Sequence, residues 1–179
     1  MPPAEAGSVR GFRLRRAEPE DAAGIAGLFR RSFTATFGHL YPPEDLAGFL
    51  AGCSEDRFRQ DCAGPDCAVL LGEDVEGRLL GYCTLGPQDL GIRSDRPWWV
   101  LRQLYLDEDA KGIGLALALM NAAIAESCAR GMAEIYLTVW VDNHRARRFY
   151  DRQGFLEVGS YAFRVGNTID DDRILKLSL

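Results

Sequence analysis

Two glycines separated by one residue, Gly112 and Gly114, stand where an apolar run, Leu104-Tyr105-Leu106, passes through Asp107 to Lys111 into a long helical pattern. A position without a side chain lets an anion approach the backbone closely. The free N–H groups of the first helical turn, at Ile113, Leu115 and Ala116, and the helix dipole attract its charge. Pyrophosphate is the group such a loop suits, with Lys111 as a nearby cation. A tight turn that merely requires glycine leaves the same trace. A dinucleotide fingerprint would need a small residue where Leu117 stands, and a nucleotide P-loop would need Gly-Lys-Ser/Thr after a longer spacer.

A second cluster follows in the segment Val139-Trp140-Val141-Asp142-Asn143, continued by Ala146, Phe149, Tyr150, Gly154 and Phe155. An Asn at the head of a helix reads as an N-cap, and the two adjacent aromatics read equally as core or as chemistry. Arg145, Arg147 and Arg152 follow the cap. Of these, Arg152 is the preferred phosphate partner, since arginine can hold a phosphate in a bidentate fork. The five cysteines, at 53, 62, 67, 83 and 128, lack the paired spacing of a zinc or redox site, and His39 and His144 are the only histidines, so no metal is expected.

The elements that must hold these residues can be read from periodicity. A strand begins near residue 10, and an amphipathic helix runs from Pro19 to about Phe37. Further helical stretches cover 42–50 and 55–62. Two apolar runs, 67–71 and 79–85, form a hairpin around 73–77, and a strand covers 99–106. Ile113, Leu117, Met120, Ile124 and Cys128 recur at helical spacing, which predicts the face that packs on the sheet. Gly131 ends that helix. A strand at 135–139, a short helix at 143–152 and strands at 155–165 and 173–179 complete a mixed α/β (α+β) sheet flanked by helices.

The chain has 179 residues, 47% hydrophobic and 26% charged, which predicts one domain over 10–179 behind a loose tail at 1–9. A formal charge of −5 without a basic stripe argues against a nucleic-acid partner and suits a cationic substrate. No apolar run is long enough to span a membrane, and the odd set of thiols fits a reducing cytoplasm.

Taken together, these residues resemble the GNAT family of N-acetyltransferases. Its coenzyme A loop is Gln/Arg-x-x-Gly-x-Gly/Ala, and its downstream segment is Asn-x-x-Ala-x-x-Phe-Tyr-x-x-x-Gly-Phe. The second pattern is matched at Asn143, Ala146, Phe149, Tyr150, Gly154 and Phe155. The first is matched at Gly112 and Gly114, with Asp109 at the Gln/Arg position. Residues 33–37, Gly81-Tyr82 and the tail Gly159, Tyr161, Phe163 and Gly166 through Asp172 are similar to the spermine/spermidine acetyltransferase branch typified by PaiA proteins.

The resemblance implies a mostly antiparallel sheet of about seven strands and acetyl-CoA as cosubstrate, with Asn143 and Ala146 on the cofactor side. Strands 99–106 and 135–139 would splay, and the pantetheine arm would pair with the backbone at Leu104, Tyr105 and Leu106. A backbone N–H there would polarise the thioester, and Tyr150 would be the general acid for the departing thiolate. A water chain, Tyr105, His39 or Glu44 is left as the base. The acids Glu44, Asp45, Asp89 and Asp170 to Asp172 would rim an acceptor site for a polyamine or another small amine. Two alternatives stand beside this reading: an acetyltransferase for protein N-termini or lysines, and a non-catalytic acyl-CoA-binding module. A homodimer is an allowed assembly.

Overall fold

The computed structural model describes residues 11–179, so the loose tail expected at 1–9 lies outside the described residues. Strand β1 is Phe12–Arg16, and α1 (Ala22–Phe37) follows a short 3-10 turn opened by Pro19. Helices α2 (Pro43–Gly52) and α3 (Glu55–Ala63) come next. Strands β2 (Ala68–Asp74), β3 (Leu79–Gly86) and β4 (Trp98–Leu106) lead to α4 (Leu115–Ala129), and β5 (Glu134–Trp140), α5 (His144–Arg152), β6 (Leu156–Val165) and β7 (Thr168–Ser178) complete the chain. The seven strands form one sheet in the order β1-β2-β3-β4-β5-β7-β6. Every neighbouring pair is antiparallel except β4 and β5, which run parallel.

Period-2 alternation sends the two sets of strand side chains into two cores. One face takes Leu70, Cys83, Leu85 and Leu101 against α4, and the other takes Val69, Leu71 and Tyr82 against α1 and α3. The outer strand β1 is fastened by charge: Arg13 and Arg15 both reach the buried carboxylate of Glu73, and Arg15 also grips Asp21 at 2.7 Å. The guanidinium of Arg15 accordingly holds Asp21 and Glu73 below the usual carboxylate range.

One expectation is corrected. The buried side of α4 is Leu115, Leu119, Met120, Ala123 and Ser127, whereas Ile113 and Cys128 are exposed and Leu117 is 44% exposed. The helix is apolar nearly all round, so several helical stripes fit it equally well. The true one also contains a serine, whose hydroxyl is satisfied by donating to the Ala123 carbonyl at 2.8 Å.

Leu115 is fully buried where α4 meets the sheet, and the glycines of β2 and β3 make room for it. A Cβ on Gly72 would lie 2.4 Å from Leu115 Cδ1, with the branch carbon 3.3 Å away. Gly72→Ala should therefore force Leu115 off its rotamer and cost about 1–3 kcal/mol. Chemical denaturation would read this as a lower midpoint at unchanged slope.

Candidate active site

Parallel pairing of β4 with β5 covers only Trp98↔Glu134, Trp99↔Ile135 and Val100↔Tyr136. β5 stays paired with β7 as far as Trp140↔Asp172, and β4 with β3 as far as Leu106↔Gly81, so the sheet splits between them. The split coincides with a bulge. Thr84 faces Gln103 while Leu85 faces Leu101, leaving Arg102 as an extra residue, and an extra residue bends and twists its strand. Arg102 turns toward α3, where it meets Asp61 at 2.9 Å with both side chains only slightly exposed. Its Nε is a buried donor without a partner among the described residues.

Beyond the bulge, the amide of Asp107 donates to the Leu80 carbonyl at 2.8 Å, and Tyr105 and Gln103 face β3 residues in the same register. Antiparallel alternation then turns the peptides of Leu104 and Leu106 toward the gap. The Leu106 carbonyl is taken by the Ser32 hydroxyl at 2.8 Å, a contact with no sequence signature. The Leu104 peptide and the Leu106 N–H face the opening.

A cavity of about 720 Å³ runs through this fork. On the α4 side it is lined by Lys111, Gly112, Gly114, Ala116 and Leu117 and by the α5 residues Asn143, Ala146 and Tyr150. Gly112 and Gly114 have φ of +85° and +89°, and a Cβ at either would meet open space. Gly114 caps α4 without a side-chain hydrogen bond, so the first amides of the helix are bare. Asn143 caps α5 by accepting from the Ala146 amide at 3.2 Å, as an N-cap asparagine should. Arg145 and Arg152 sit exposed on this rim. The predicted set is thus largely brought together, with these differences: Ile113 and Leu115 do not line the cavity, Lys111 pairs with Glu108, and Tyr105 points its ring to the α1 face against Phe29 at 5.2 Å. This surface fits coenzyme A: small residues and bare amides for the pyrophosphate, and an open strand edge for the pantetheine arm.

On the α1 side the cavity is aromatic, with Phe33, Phe37, Phe49 and Phe163 among its walls. Asn167, in the turn joining β6 and β7, donates its N–H to Asp45 at 3.0 Å and so ties that hairpin to α2. His39 and Glu44 do not line the cavity. Of the carboxylates that do, Asp61, Asp170 and Asp172, the last is 6% exposed and sits opposite Trp140 in the β5–β7 ladder. Burial pushes its carboxyl up to about 7, reinforced by Asp170 and Asp171 and partly offset by Thr138. The sequence groups Asp172 with a solvated acidic run. Its period-2 partner Ile174 is buried on the same face, and that is the signal separating it from Asp171.

Tyr150 reaches the fork from the α4 face, its ring 5.4 Å from that of Phe149 and 5.6 Å from that of Phe155. Burial raises its phenol well above the usual value, keeping it protonated. Burial likewise raises the phenol of Tyr105, with smaller contributions from Tyr150, Cys53 and Asp172. Among the described residues no group of His, Cys, Asp and Glu side chains is arranged to hold a metal, and no helix is long and apolar enough to cross a membrane.

A parallel strand pair opening onto a glycine-cradled helix N-terminus, with an acid and a base candidate at the fork, is the framework of an acetyl-CoA-dependent acyltransferase. The chain belongs to the acetyltransferase (GNAT) family, which it matches over residues 24–155, and is an N-acetyltransferase of that family. An uncharacterised N-acetyltransferase of Mycobacterium tuberculosis is 33% identical over 156 residues, covering 87% of this chain and 96% of that one. The PaiA N-acetyltransferase of Thermoplasma acidophilum, solved with coenzyme A, has the same fold, with a TM-score of 0.76 at 18% identity over 95% of this chain and 100% of its own. The spermidine N-acetyltransferase of Vibrio cholerae, solved with coenzyme A and spermine, gives 0.68 at 22% identity over 94% and 95%.

The cradle can be tested against a control with the same backbone strain. Gly131, at the far end of α4, also has a positive φ (+74°) and open space, and does not line the cavity. Gly114→Ala and Gly131→Ala should each lose about 1–2 kcal/mol of stability. Calorimetry should find acetyl-CoA affinity lowered about tenfold or more only by Gly114→Ala.

Proposed function

We propose that this protein acetylates a small primary amine, with Asp172 acting toward the amine and Tyr150 toward the departing sulfur. The observation that carries this reading is the placement of those two residues on opposite faces of one fork, one carboxyl at about 7 and one phenol held neutral.

Acetyl-CoA supplies the thioester, its pyrophosphate held by the amides above Gly112 and Gly114 and its arm by the edge of Leu104 and Leu106. Asp172, ionised above about 7, takes a proton from the entering ammonium and leaves a nucleophilic nitrogen. Tyr150 gives its proton to the sulfur as the carbon–sulfur bond breaks and is refilled from the nitrogen that has just formed the amide. A phenol is ordinarily a weaker acid than a thiol. The same dry surroundings that raise Tyr150 also raise the basicity of a sulfur anion beside it, which narrows the gap.

The aromatic α1 half of the cavity favours a small amine over a folded protein surface, and a module that only binds acyl-CoA has no use for Asp172. Polyamines fall within the small-amine class, and the spermine bound to the Vibrio cholerae neighbour is the reason to assay them. Unpaired cysteines at 53, 62, 67, 83 and 128 support a cytoplasmic setting.

Tyr150→Phe should lower kcat by about 10²–10⁴-fold while acetyl-CoA affinity and melting temperature stay near those of the parent. Turnover within about threefold of the parent would remove the assignment.

For Asp172, kcat/KM should fall as pH drops through about 7, and Asp172→Asn should abolish that limb together with most of the rate. The stability sign is the opposite. The carboxyl is raised in the folded state from an ordinary value of 3.8. Between these values the folded chain holds a proton that the unfolded chain has lost, so stability falls as pH rises through the window and stays lowered above it. Asp172→Asn should therefore melt higher than the parent at about pH 8, with the gap closing near about pH 4.

A further inference from the structure

The α1 half of the cavity is walled by rings. Phe33 stacks on Tyr41 with centroids 6.0 Å apart and leans on Phe49 at 4.8 Å. Phe49 meets Phe163 of the hairpin edge-on at 5.7 Å, and Phe37 meets Trp140 at 6.3 Å. Phe37, Phe49, Phe163 and Trp140 are only half-buried and line the cavity. Their ring surface is therefore available to an occupant.

The charged groups in the same walls are few. Asp61 is paired with Arg102, whereas Asp170 accepts only the neutral hydroxyl of Tyr41 and keeps its charge. Asp172, at about 7, is only partly ionised near neutrality. Arg57 adds an exposed cation at the rim. An acceptor with further ammonium groups beyond the one at Asp172 would find one carboxylate without a cation among the described residues, Asp170, and otherwise guanidiniums and rings, where a charge is costly. A single amine on a ring-sized body matches the walls instead.

Resting on the transferase reading above, we infer that the acceptor is a primary monoamine carried on an aromatic or bulky apolar body, with the amine at Asp172 and the body among Phe33, Phe49 and Phe163. The ammonium gives one proton to Asp172, and its nitrogen bonds to the acetyl carbon as the carbon–sulfur bond breaks. The second nitrogen proton replaces the one Tyr150 delivers to sulfur, so the products are the N-acetyl amide and coenzyme A thiol. Selectivity among amines comes from the rings, since every primary amine meets the same acid and base.

The test is coenzyme A release from acetyl-CoA with 2-phenylethylamine, tryptamine, butylamine, putrescine and spermidine, with the acetylated products checked by mass. The aromatic monoamines should exceed butylamine and both polyamines in kcat/KM by about tenfold to a hundredfold. Phe163→Ala should raise KM for 2-phenylethylamine and collapse its advantage over butylamine. Phe49→Leu serves the same purpose should Phe163→Ala fail to fold. Spermidine or putrescine outperforming the aromatic amines would overturn the inference and leave the transferase reading standing. So would an aromatic advantage that survives in both folded variants. Acetyl-CoA binding with no amine acetylated would overturn the transferase roles and this inference with them.

Discussion

β4 and β5 share hydrogen bonds over three residue pairs and then part, and the cause lies on the other edge of β4, where Arg102 is one residue too many for its partner strand. A bulge bends the strand that carries it. Bending β4 exposes the backbone of Leu104 and Leu106, opens the space that Tyr150 and Asp172 face, and brings Arg102 against Asp61 as an internal ion pair. A regular ladder here would continue the sheet and leave no fork, with the same side chains forming an ordinary core.

The fork does its electrostatic work by burying its titratable groups. Burial raises the phenols of Tyr105 and Tyr150 and the carboxyl of Asp172 together, all in the direction of the neutral form. For a phenol that means a retained donor, and for a carboxyl it means a base whose affinity for a proton sits close to neutrality. In the reaction proposed above, one environment would thereby suit one group to give a proton and the other to take one. The same burial raises the thiols of Cys53 and Cys67, which leaves them poorly suited to serve as covalent carriers of the acyl group.

Local signals in the sequence carried far. Alternation marked the strands, Pro19 and Gly131 marked helix ends, and the pairs Gly112/Gly114 and Asn143/Tyr150 marked the two segments that meet at the cavity. What escaped was set by tertiary context. The face of α4 was ambiguous because the helix is apolar on nearly every side, and a buried serine broke the stripe that is really used. Asp172 hid in a run of three acids, and only its strand phase distinguishes it from its neighbours. The bulge at Arg102 depends on how two strands register, a property that neither strand's residues state alone.

The hydrogen bond from Ser32 to the Leu106 carbonyl has a metric consequence. It closes one acceptor on the open edge of β4, so a chain lying along that edge finds its carbonyl partner at Leu104 and no equivalent partner further along toward the glycine loop. In the arrangement proposed above, α1 would act as a gauge block, setting how deep the arm of a bound thioester travels along β4.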